Sequence, residues 1–174
     1  MIWGDFLFRK LKLELNFLAE HIRMIFFSAF LCSFGGMLLW VNGTNLWQIL
    51  RTGNLPPFSL SVTGLFLLWT FVYGLNGILL SLLFLQGKIR CCNNPLTSFA
   101  ICSGIYLLHL VWYAVFLCTH LVFFACVILL ASIFLTIVLF ILTRQGFLLF
   151  RFLLILIFLV ELYFIYFNLT FCLG

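Results

Sequence analysis

Residues 98–143 read SFAICSGIYLLHLVWYAVFLCTHLVFFACVILLASIFLTIVLFILT, without a single Asp, Glu, Lys or Arg. As one helix this stretch would be roughly 70 Å long, more than twice the ~30 Å hydrocarbon thickness of a bilayer. It therefore divides into two spans joined by a tight turn. The most polar point near its middle is Cys118-Thr119-His120, which predicts spans at 98–117 and 121–142. That division decides the fold, because it makes the number of spans odd and puts the two chain ends on opposite sides of the membrane.

Three further apolar runs lie outside it, at 24–41, 60–85 and 147–171. The first stops at Asn42-Gly43-Thr44-Asn45 and the second at Gly87-Lys88-Ile89-Arg90, both loop signals. Arg144-Gln145-Gly146 precedes the last. Residues 42–58 hold Trp47, Arg51, Pro56 and Pro57 and read as a non-spanning loop. The expected fold is all-α, an integral membrane bundle of five transmembrane helices over residues 24–174. The chain is 66% apolar and 7% charged. A soluble protein of this size could not hide so much apolar surface.

Residues 1–23 form an amphipathic lead-in. Leu7, Leu11, Leu15 and Leu18 recur at helical spacing, with Arg9, Lys10 and Lys12 between them. This predicts a helix lying at the membrane interface, or else a partner-binding segment, rather than a cleavable leader. Five spans place Arg9, Lys10, Lys12, Arg23, Lys88, Arg90, Arg144 and Arg151 on one side and Arg51 alone on the other. The positive-inside rule then puts the N-terminus in the cytoplasm. The bases flank spans rather than forming a stripe, so no nucleic-acid partner is expected. The seven cysteines show no CxxC and no Cys/His spacing for zinc. Cys91 and Cys92 are juxtamembrane, where reversible palmitoylation is the alternative to an inert pair.

Against this apolar background a few polar residues stand out. Trp69, Tyr73 and Asn76 share one helix face, with Gly74 and Gly77 beside them. Either they pack against neighbouring helices, Asn76 hydrogen-bonding one of them, or they line a ligand cavity as an aromatic wall with one orienting polar group. His109, Trp112, Tyr113 and Phe116 share a face in the third span. His109 either bonds a neighbouring helix, contacts a ligand, or ligates haem. Glu161 is the only acid after residue 20 and lies near the centre of the fifth span. An ionisable group at that depth costs roughly 2.5–3.5 kcal/mol by insertion scales and faces the bundle interior, which makes it a functional candidate. Asn168 shares its face. Glu161 and His109 are expected to face a common cavity at similar depth. Gly35-Gly36 and Ala100-x-x-x-Gly104 allow close helix approach, within the chain or, for the second, in a homodimer.

Taken in order, these motifs resemble the TspO/translocator protein family, also called tryptophan-rich sensory proteins or peripheral benzodiazepine receptors. Trp47-x-x-Leu50 and Leu55-Pro56-Pro57 in the first loop are similar to the family's W-Y-x-x-L and P-P elements. Trp69-Thr70-x-x-Tyr73-x-x-x-Gly77 is similar to its W-T-x-L-Y-x-x-M-G. His109-Leu110-Val111-Trp112 resembles its N-x-x-W, with His for Asn, and Tyr163-x-x-Tyr166-Phe167-Asn168 resembles F-x-x-Y-L-N. The resemblance covers about residues 22–172. The chain departs from the family at Ile105, which replaces a glutamine, at Phe124, which replaces a tryptophan, and at 156–160, where P-Y-x-x-W has no match.

The resemblance implies a membrane receptor or transport protein that binds an apolar or amphipathic small molecule, such as a porphyrin or a sterol, within the bundle. The expected ligand-binding set is Trp47, Trp69, Tyr73, Asn76, His109, Trp112, Tyr113, Phe116, Glu161 and Asn168; the family motifs contain no acid matching Glu161, which enters on physical grounds alone. A tetrapyrrole would be a ligand, not a required cofactor. The rival expectation is a small proton- or substrate-coupled transporter, or a membrane-complex subunit, that uses Glu161 and His109. No nucleotide loop, Ser/His/Asp set, paired carboxylates or metal cluster occurs in the sequence, so no enzymatic activity is expected.

Overall fold

The protein is seen in a computed structural model. It describes residues 2–42, 59–85, 94–118, 121–143 and 147–173, without the side chains of 2–7, 10, 39–42, 62, 117, 118 and 171–173. Trp47, Pro56, Pro57, the Cys91–Cys92 pair and His120 lie outside the described residues.

Five helices follow one another: α1 Ile2–Asn42, α2 Val62–Phe84, α3 Pro95–Cys118, α4 Val122–Leu142 and α5 Leu148–Leu173. Each contains a stretch long and apolar enough to cross a membrane. The chain is thus a multi-pass integral membrane protein, all-helical over its described residues. The expected spans match α2 to α5 within a few residues. In α1 the helix passes through the expected boundary at residues 23–24 without a break, and its apolar stretch runs Leu11–Leu38. No Gly or Pro interrupts residues 5–34, so nothing local separates the lead-in from the span.

Helices α2, α3, α4 and α5 form a closed ring in which each packs on the next and α5 returns to α2. Helix α1 lies outside it, mainly against α2. That seam is built from small residues. A Cβ at Gly77 would stand 2.5 Å from the Ser28 carbonyl oxygen, and one at Gly36 would overlap the Tyr73 ring. The close approach lets the Ser28 hydroxyl donate to the Gly77 carbonyl at 2.8 Å and Ser33 donate to Thr70 at 3.3 Å. Lipid solvates apolar side chains as well as protein does, so close packing and interhelical hydrogen bonds provide the attraction here. Gly104 instead meets Leu135 of α4 at ordinary contact distance, so it packs within the chain.

Two further ties fix the bundle ends. Glu14 is buried on α1, and its carboxylate accepts from the Leu148 and Leu149 amides at 2.9 and 3.3 Å. It thereby satisfies two of the free N–H groups at the start of α5. At the other end the Leu60 amide donates to the Tyr163 hydroxyl at 3.1 Å.

The interior has two halves. One is mainly aliphatic and includes Leu75, Leu79, Leu82, Ile105, Leu139, Leu154 and Ile157. The other is aromatic, with Trp69, Tyr73, Trp112, Tyr113, Phe116, Phe164 and Phe167. Along each ring helix one polar layer separates them: Asn76 on α2, His109 on α3, Ser132 and Thr136 on α4, Glu161 on α5. All five are buried.

Candidate functional site

The polar layer is a connected set of hydrogen bonds. The Asn76 amide nitrogen donates to the Val72 carbonyl within its own helix at 2.9 Å. A carbonyl only accepts, so this contact fixes which end of the amide is nitrogen. The same nitrogen lies 3.2 Å from His109 Nδ1. His109 Nδ1 is therefore the acceptor, and the ring proton sits on Nε2. Nε2 points at Glu161 Oε1, 2.9 Å away, and at Ser132 Oγ, 3.0 Å away. Ser132 and Thr136 also donate to Glu161 Oε1, at 2.5 and 3.3 Å. The donors run in one direction, from Asn76 through His109 to a carboxyl oxygen that two hydroxyls also serve.

His109 and Glu161 do lie at one depth, as their positions predict. They do not face each other across a cavity: they touch, leaving no room for a ligand between them. Both are fully buried. With both ring nitrogens engaged, His109 as placed has none free for iron. Glu161 Oε2 and Asn76 Oδ1 are buried without a hydrogen-bond partner.

Trp69 sits where the aromatic half meets this layer. Its indole N–H donates to the Tyr73 hydroxyl at 2.9 Å, and that hydroxyl donates to the His109 carbonyl at 3.3 Å. The Trp69 ring lies 4.4 Å from both Trp112 and Phe164 and 5.3 Å from His109. Trp112 stacks on Phe116, with ring centroids 5.3 Å apart. These are the offset and edge-on separations that aromatic quadrupoles prefer. Trp112 Nε1 and both amide atoms of Asn168 are buried without a hydrogen-bond partner.

Of the sequence-derived site residues, Trp69, Tyr73, Asn76, His109, Trp112, Phe116 and Glu161 thus belong to one contiguous region. Tyr113 is buried in the same aromatic half. Asn168 is buried about two turns beyond Glu161. Ser132, Thr136 and Phe164 are additional members. The signal for the first two is Ser132-x-x-x-Thr136, the only hydroxyl pair within the apolar run of α4, four residues apart and hence on one face. Phe164 has no such signal among the many phenylalanines. Among the described residues no three His, Cys, Asp or Glu side chains gather as metal ligands.

No family model and no curated protein matches this chain.

Proposed function

We propose that the protein is a TspO-like membrane receptor or transport protein that binds a flat, amphipathic small molecule, of porphyrin or sterol type, in the aromatic half of the bundle. One observation carries the reading: Trp69, Trp112 and Phe164 pack ring to ring beside His109, next to buried polar atoms on Trp112 and Asn168 that have no partner. Such a ligand exchanges ring–ring contacts for ring–ligand contacts, and its polar edge satisfies groups that the protein leaves unpaired. The motif resemblance points to the same chemistry. Saturable quenching of tryptophan fluorescence by protoporphyrin, beyond a detergent control, is the expected result. Trp69→Phe should weaken it about two- to tenfold, the value of one aromatic contact. Quenching no greater than in empty detergent micelles overturns the reading.

A second reading is favoured by the His109–Glu161 contact itself. A histidine and a carboxyl group in one hydrogen-bonded chain at mid-bundle suit proton-coupled transport. Uptake into proteoliposomes that depends on an imposed proton gradient, and is lost in Glu161→Gln, would support it. Gradient-independent uptake would exclude it.

A further inference from the structure

The seam between α4 and α5 carries a groove on the outer face of the bundle, away from the aromatic half. It begins near the start of α5 as a depression of about 410 Å³ between Leu11 of α1 and Phe140, Arg151, Phe152 and Ile155. It continues as a second depression of about 350 Å³ between Ile137, Phe140, Ile155 and Leu159, with Thr136 at its inner wall. Phe140 and Ile155 belong to both, so the two form one track. The deeper part exposes no polar atom. Among the described residues the outer part has one charged lining group, Arg151, whose guanidinium carbon lies 4.6 Å over the Phe140 ring.

We propose that this track binds one anionic glycerophospholipid, with an acyl chain along α4 and α5 and its phosphate on Arg151. Length supports this. From Leu148 to Leu159 the helix rises about 16 Å, close to half of the ~30 Å hydrocarbon thickness, which is the depth of one leaflet. Charge supports it too. A guanidinium forks onto phosphate oxygens, and the exposed Lys12 neighbours Leu11 at the same end of the track. Glu14 is buried and has both oxygens engaged by the Leu148 and Leu149 amides, so it does not oppose the phosphate. The apolar wall holds the chain, and the single cationic mouth selects the headgroup. This site is independent of any ligand in the aromatic half.

The test is native mass spectrometry of the full chain in detergent, with phosphatidylglycerol or phosphatidylcholine of identical acyl chains added. Wild type should retain one phosphatidylglycerol with about fivefold preference, the scale of one basic residue near a lipid surface. Arg151→Gln should lose the preference. Ile155→Trp, at the lipid-facing waist of the track, should lower retention of both lipids at least fivefold (a rough figure for blocking several buried CH₂ groups). Leu130→Trp, exposed elsewhere on α4, should bind as wild type. Equal retention of the two lipids by wild type, or a preference that survives in Arg151→Gln, overturns the headgroup assignment. Undiminished retention in Ile155→Trp overturns the track. Because Ile155 is partly exposed on the outer face, its replacement leaves the core packing intact.

Discussion

His109 Nε2 lies 2.9 Å from Glu161 Oε1, and neither side chain is exposed. Three donors from two helices, His109, Ser132 and Thr136, converge on that one oxygen. Removing the acceptor leaves all three without it, whereas an amide in its place keeps a carbonyl oxygen for them. Glu161→Ala should therefore cost about 3 kcal/mol or more of stability, and Glu161→Gln about 1 kcal/mol. Thermal unfolding in one detergent checks this; equal losses would mean that Oε1 is not the shared acceptor.

The same contact makes the two residues energetically dependent. A double-mutant cycle with His109→Leu and Glu161→Leu should return a coupling of roughly 1–2 kcal/mol, above the ~0.6 kcal/mol average for interhelical hydrogen bonds in membranes. Additive losses would show that the pair does not interact in the folded protein.

Within α4, Ser132 donates at 2.5 Å and Thr136 at 3.3 Å. Ser132→Ala should cost about 1 kcal/mol and Thr136→Val about half as much. The reverse order, measured by the same unfolding assay, would contradict the geometry.

Glycine placement separates the helix seams. Gly77→Ala forces a methyl against the Ser28 backbone and should destabilise by about 1–3 kcal/mol. Gly104→Ala meets only the flexible end of Leu135 and should be neutral or stabilising by up to about 1 kcal/mol, from helix propensity. Parallel melting curves of the two variants decide it.

Glu14→Ala removes the acceptor for two α5 amides 134 and 135 positions away. Hydrogen exchange at Leu148 and Leu149 should accelerate, with a stability loss of about 1 kcal/mol. Unchanged exchange there would show that the start of α5 has another acceptor.

Much of this was legible along the chain. The charge-free stretch 98–143 and the loop signals on either side of it are local features, and they set the number and limits of the spans. Trp69, Tyr73, Asn76, His109 and Glu161 stood out because a polar or amphipathic side chain within an apolar run must turn away from lipid. The leucine spacing of the lead-in indicates a helix, but not that it continues unbroken into the first span as α1, nor that Glu14 is buried against a helix at the far end of the sequence.

What the amino-acid sequence alone determined was which segments span the membrane and which few side chains must face inward. Only the tertiary structure decided that Asn76, His109, Ser132, Thr136 and Glu161 form one layer, that Gly77 is the closest point between α1 and α2, and that the His109–Glu161 space is closed. The reason lies in the solvent. In lipid every apolar face is equally well solvated, so hydrophobic periodicity does not choose a helix's neighbours. The choice rests on small residues that permit close approach and on polar atoms that meet only when four helices have packed.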